Sequence, residues 1–135
     1  TLFSSTKGRD YITGGSGKDV IYGLGGRDRI DLGSGRDLVW TGVGRHEVTG
    51  GGGPDVMHFR KDTVAKSEKS FTKFLDWSEK DGLAFNRYFS DEVVVQSGKG
   101  GENSLLYLDG EKVAKFMGLE ADLLQVMVDS AHYSI

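Results

Sequence analysis

Five aspartates, Asp10, Asp19, Asp28, Asp37 and Asp55, recur on a nine-residue grid, and His46 occupies the one grid position they miss. Glycine crowds the space between them: fifteen of the 21 glycines lie between Ser5 and His58. Evenly spaced carboxylates beside glycine turns that leave backbone carbonyls unpaired make an all-oxygen donor set, the kind hard divalent cations prefer. Cutting the chain at the period gives STKGRDYIT, GGSGKDVIY, GLGGRDRID, LGSGRDLVW, TGVGRHEVT and GGGGPDVMH, six units from 5 to 58 without an insertion. Position four is always Gly. Position six is the acidic column with its single histidine, and position eight is Ile12, Ile21, Ile30, Val39, Val48 and Met57. A flexible Gly-rich tether would not hold three columns at once.

The elements that position these groups follow from the unit itself. Positions one to six are too rich in glycine for helix or strand and suit a turn with positive φ, whereas positions seven to nine place one aliphatic between two outward residues, a three-residue strand. Two units of eighteen residues then close one coil of a parallel solenoid, with position-eight side chains stacked inside and like units ~4.8 Å apart. The fold class expected is all-β: a parallel β-roll, a right-handed β-solenoid of about three coils, followed by a β-rich capping segment. Residues 1–58 are the roll with an entry strand, Phe3 being in register as a position-eight residue, and 59–135 the cap. On one side of the roll the column is Asp10, Asp28 and His46; on the other it is Asp19, Asp37 and Asp55. Stacked carboxylates repel, and a cation between successive turns relieves that repulsion. Calcium is the expected ion, because it accepts six to eight oxygens with loose geometry whereas magnesium holds its water.

GGSGKDVIY and GGGGPDVMH fit G-G-x-G-x-D-x-U-x, and the chain thereby resembles the RTX calcium-binding β-rolls. The resemblance implies ions held between turns eighteen residues apart, by both position-six aspartates and by carbonyls at positions two and four of the first turn and one and three of the second. Site one is then Thr6, Gly8 and Asp10 with Gly23, Gly25 and Asp28. Site two is Gly15, Gly17 and Asp19 with Leu32, Ser34 and Asp37, and site three is Gly33, Gly35 and Asp37 with Gly50, Gly52 and Asp55. A fourth pairing, Leu24, Gly26 and Asp28 with Thr41, Val43 and His46, puts imidazole where a carboxylate belongs and is expected to be weak or empty. About three calcium ions would carry the formal charge from −3 to +3. Without them, repelling carboxylates and the ordering entropy of glycine turns disfavour the roll, so folding is expected to follow calcium. Resemblance to RTX proteins further implies a parent protein with an N-terminal domain, a secretion-signal region at the C-terminal end of 59–135, export by type I secretion machinery in the unfolded state, and folding outside the cell.

The outer faces differ. Tyr22, Trp40 and His58 form an apolar, aromatic row that either packs on the C-terminal segment or presents a carbohydrate or partner surface. Position five gives Arg9, Lys18, Arg27, Arg36 and Arg45, a basic column that either offsets the aspartates or engages an acidic polysaccharide or cell surface, with Arg9, Arg27 and Arg45 on one side. After His58 the composition is ordinary. Phe71 to Phe85 reads as strand, turn, strand with the bend near Lys80, Asp81 and Gly82, and Val93 to Gln96 as a strand. Ser104 to Phe116 reads as a hairpin about Asp109-Gly110, Gly118 to Leu124 as a helical turn and Gln125 to Val128 as a last strand. Leu75-Asp76-Trp77, Asp81 and Leu83 resemble the segment that follows the last repeat in serralysin-like proteases and alginate epimerase repeat modules, with Ala84 in place of a second aspartate.

Composition narrows the rest. Lys plus Arg number 17 against 20 Asp plus Glu, which does not fit a nucleic-acid binder, and the absence of Cys excludes disulfides and thiolate sites. No run of 18 apolar residues predicts a transmembrane segment. The start, TLFSSTKGRD, has neither initiator Met nor a basic-then-apolar leader, and reads as a piece of a longer protein. The histidines His46, His58 and His132 are scattered and no H-E-x-x-H, G-x-S-x-G or Walker pattern occurs, so no enzyme is expected within this chain.

Overall fold

In the computed structural model the described residues are 2–42, 44–59, 71–86 and 93–134. Each nonapeptide contributes one short strand. β1 (Leu2–Ser4), β3 (Val20–Gly23), β5 (Leu38–Thr41) and β7 (Val56–Phe59) stack in parallel on one side, and β2 (Tyr11–Thr13), β4 (Arg29–Asp31) and β6 (Glu47–Thr49) on the other. The register is the eighteen-residue one: Ile12 faces Ile30 and Ile30 faces Val48, while Phe3 faces Ile21 and Ile21 faces Val39. These position-eight side chains turn inward, and Ile21, Ile30, Val39, Val48 and Met57 are wholly buried. Each contributes about 1.5–3 kcal/mol by leaving water, which no single unit could collect alone.

The sheets run on past Phe59. β8 (Thr72–Phe74) extends the second sheet below β6, and β9 (Gly82–Asn86) extends the first below β7, both in parallel. The sequence reads 71–85 as strand, turn, strand, and both strands form, but they lie in opposite sheets as a further coil rather than pairing with one another. The bend between them closes where Asp81 N–H donates to the Ser78 carbonyl at 2.9 Å. Aromatics fill this wider end: Phe74 stacks on Phe116 at 4.7 Å between centroids, and Phe59 on Phe85 at 5.3 Å.

The second sheet then ends in an antiparallel meander of β10 (Val93–Ser97), β11 (Ser104–Leu108) and β12 (Glu111–Phe116), with β12 parallel to β8. The β11–β12 turn has φ of 53° at Asp109 and 81° at Gly110, the two positive values that the Asp-Gly pair promises. Where the sequence reads a helical turn and then a strand over Gln125 to Val128, the chain forms one helix, α1 (Ala121–Asp129). Leu124, Met127 and Val128 are its buried residues, and their i, i+3, i+4 spacing marks a helical face that a short apolar run does not distinguish from a strand. The last strand is β13 (His132–Ser134), beside β9.

Candidate metal centre

The turns between strands stack as closely as the strands. At Gly33 and Gly51 φ is +83° and +76°, and a Cβ at either would collide with the carbonyl oxygen of the glycine eighteen residues earlier, Gly15 or Gly33. Glycine is required there twice over, for the dihedral and for the approach of the two backbones.

Within this stack the position-six side chains form two ladders. Asp10 N–H donates to Asp28 Oδ1 at 3.0 Å; on the other side Asp19 N–H donates to Asp37 Oδ1 at 2.8 Å and Asp37 N–H to Asp55 Oδ1 at 3.0 Å. One oxygen of each lower carboxylate is thus fixed by backbone. The second oxygens of Asp37 and Asp55 are buried and make no hydrogen bond, which for a carboxylate costs several kcal/mol in the absence of a counter-charge. Burial is the chief force lifting the Asp37 carboxyl above the ordinary carboxylate range, and it lifts Asp55 to about 7, with Asp81 and Asp37 adding repulsion. Two buried anionic oxygens without a hydrogen bond on one column fit a bound cation, whereas the Gly15 and Gly33 carbonyls, expected to be unpaired, accept the Ser34 and Gly52 N–H groups at 2.8 and 3.1 Å.

The other side differs. Thr6 closes the first turn on itself, its N–H and Oγ1 both donating to Asp10 Oδ2 at 2.8 Å, while Ser5 Oγ donates to Asp28 Oδ2 at 3.2 Å. Below, His46 Nδ1 lies 3.2 Å from Asp28 Oδ2 with both side chains fully buried. Burial is the leading cause that raises the Asp28 pKa and lowers that of His46. Of the fourth pairing, Leu24 donates its N–H to Ser5 Oγ at 2.8 Å and Gly26 has positive φ. Thr41 Oγ1 bonds Thr72 Oγ1 at 3.1 Å, and Val43 lies outside the described residues. Here hydroxyl groups partner the Asp10 and Asp28 oxygens, and His46 Nδ1 takes the carboxylate's place in the ladder by accepting the Asp28 N–H at 3.3 Å.

A sequence profile for the RTX calcium-binding nonapeptide repeat matches residues 4–39 in four copies. Those residues are RTX repeats. Across the chain the fold is that of the AlgE6R2 subunit of the Azotobacter vinelandii mannuronan C5-epimerase, with a TM-score of 0.67, 22% identity, and 99% of this chain and 93% of that chain covered. The AlgE6R3 subunit of the same epimerase aligns at a TM-score of 0.42 and 23% identity, over 98% and 78% of the two chains. Among curated proteins none matches.

The side-chain ladder also extends beyond the six units. Asp55 N–H donates to Asp81 Oδ1 at 2.9 Å, so Asp81 takes position six and Leu83, facing Met57, takes position eight. Thr72 does the same on the other side, since Phe74 faces Val48. Asp76 accepts the N–H groups of Gly50 and Gly51 at 2.7 and 2.9 Å. Sequence reasoning placed Asp76 and Asp81 in a cap but did not join them to the column. The signal was present in D-x-L at 81–83, displaced to a spacing of 26 by the segment after Phe59.

On the outer faces, Tyr22 stacks on Trp40 with centroids 4.4 Å apart and planes 16° from parallel, and His58 follows at 5.5 Å. Arg9 and Arg27 line a cleft of ≈ 480 Å³ with Tyr11, Arg29 and Glu47, and Arg27 and Arg45 line an adjoining one with Phe71 and Lys73.

Proposed function

We propose that this chain is a calcium-binding RTX module of a larger secreted protein, folding as it meets extracellular calcium and thereby supporting type I secretion and the stability of its parent's N-terminal domain. The observation that carries the reading is the pair of buried, unpartnered oxygens on Asp37 and Asp55. Calcium would be held at site two by Gly15, Gly17, Asp19, Leu32, Ser34 and Asp37, and at site three by Gly33, Gly35, Asp37, Gly50, Gly52 and Asp55. Site one, Thr6, Gly8, Asp10, Gly23, Gly25 and Asp28, would take the third ion in exchange for the Thr6 and Ser5 hydrogen bonds. The ion supplies positive charge between stacked carboxylates; the chain supplies the turns and the apolar stack that keeps them in register. Extracellular calcium modules bind at ~10⁻⁴ to 10⁻³ M, so such a roll stays open where calcium is scarce. Far-UV circular dichroism of chelated protein titrated with calcium tests this: a cooperative gain of β signal with calcium and none with magnesium is expected, and an unchanged, folded spectrum in chelator would overturn it.

The arginine-lined cleft favours a second reading, a binding surface for an acidic polysaccharide, and mannuronan, the polymer for which the structurally similar epimerase is named, is the natural first probe. Arg9, Arg27 and Arg45 would meet carboxylates, and Tyr11 a sugar ring. Calorimetry with polymannuronate, and loss of any binding in the Arg27→Ala variant with unchanged calcium uptake, tests that reading. Neither role needs a catalytic group in this chain.

A further inference from the structure

The second column continues one rung below Asp55. Asp81 repeats below Asp55 the bond that Asp55 makes below Asp37, so the turns 50–55 and 76–81 frame one more gap of the same kind. By the ligand pattern of sites two and three, its upper donors would be the Gly51 and Gly53 carbonyls and Asp55, and its lower carboxylate Asp81. One of those carbonyls is already engaged by a cation: Lys80 Nζ donates to the Gly51 oxygen at 3.0 Å. The same charge favours the ionised form of both carboxylates of the gap, Asp55 and Asp81, although at Asp55 it is outweighed by the repulsion from Asp81 and Asp37. Asp76 and Ser78 complete the frame, Asp76 holding Gly50 and Gly51 and Ser78 N–H donating to Asp81 Oδ2 at 3.0 Å.

We propose that Lys80 is a resident cation that takes the place of a calcium ion between the 50–55 and 76–81 turns, so that the last rung of this column is closed without metal. An ammonium supplies up to three donors and one positive charge on a flexible stem. It satisfies a carbonyl and opposes part of the repulsion between the two carboxylates, and it is present from synthesis onward. The consequence is directional: the C-terminal rung holds at calcium levels where the rungs above it are open, giving the metal-driven part of the roll a preformed edge on which to build.

The inference rests on the calcium reading above, and ion counting separates the two. Native mass spectrometry and calorimetry of the full chain at saturating calcium give the wild-type number of ions. Lys80→Met and Lys80→Gln, which both remove the charge, are expected to bind one more ion than wild type, to lose thermal stability in chelator, and to recover it in calcium. Lys80→Arg is expected to keep the wild-type count, as is Lys99→Met at an exposed loop position. Where Lys80→Met does not fold at any calcium level, Lys80→Gln, which retains a donor for the Gly51 carbonyl, decides. A wild type that binds calcium, with neither neutral variant taking up an additional ion, overturns this inference alone. A wild type that takes up none overturns it together with the calcium reading.

Discussion

Replacing Asp55 by Asn should stabilise the chelated protein at pH 8 and weaken the calcium-loaded one. Asp55 is wholly buried, one oxygen holds the Asp37 N–H, the other has no hydrogen-bond partner, and Asp37, Asp81 and Lys80 are the charges acting on it. Its pKa rises from 3.8 to about 7, so the folded state binds the proton more tightly than the unfolded state. Stability from this group is therefore full below the unfolded value and is lost as pH rises through about 7. At about 1.36 kcal/mol per pH unit the whole loss is roughly 4 kcal/mol, of which about 2.5 falls between pH 5 and pH 8. That is a large part of the 5–15 kcal/mol typical of a domain. His46, lowered by burial, titrates with the opposite sign below 6.5 but is common to both proteins and cancels in the comparison. The assay is folding of wild type and Asp55→Asn driven by trimethylamine N-oxide in chelator at pH 5 and pH 8, which reads the free energy from the open state, together with urea unfolding at pH 8 in saturating calcium. In chelator the variant's advantage should grow by about 2.5 kcal/mol from pH 5 to pH 8. In calcium the order should reverse, since the ion loses a carboxylate. An advantage that stays flat or shrinks with rising pH would refute the reasoning.

Other consequences are as definite. Gly51→Ala forces a side chain into φ of +76° against the Gly33 carbonyl and should cost at least about 1–2 kcal/mol by denaturant unfolding in calcium, whereas Gly100→Ala, at φ of +87° with open space around it, should cost only the dihedral part. Phe74→Ala removes a fully buried ring stacked on Phe116 and set against Phe59 and Trp77, with an expected loss of about 3–5 kcal/mol in the same assay. His46→Asp restores the carboxylate of the fourth pairing beside Asp28, and calorimetry should register one further calcium with lower stability in chelator. Raising salt in chelator should partly rescue wild type, because part of its instability is mutual carboxylate repulsion.

The roll was readable before any coordinates because each nonapeptide carries its own turn, its own inward aliphatic and its own acid, and repetition at a constant interval removes the ambiguity of any one copy. The hairpin at Asp109-Gly110 was readable for a similar reason, the dipeptide itself demanding two positive φ values. Legibility failed where meaning depends on distant partners. The strands at 72–74 and 82–86 look like a local pair, yet each is aligned by a strand of the roll far behind it. Gln125 to Val128 has an apolar run compatible with either strand or helix, and burial of Leu124, Met127 and Val128 on one face decides for helix.

From the sequence alone come the nine-residue period, the eighteen-residue coil, the two columns and the oxygen chemistry, all properties of units that repeat. Tertiary structure decided which oxygens need a cation. Thr6 and Ser5 partner the carboxylates of Asp10 and Asp28, His46 meets Asp28, and Lys80 reaches the Gly51 carbonyl, while Asp37 and Asp55 each keep one buried oxygen unpaired. The physical reason is that a hydrogen bond is a relation between neighbours in space, and in a solenoid those neighbours are a whole coil apart in the chain.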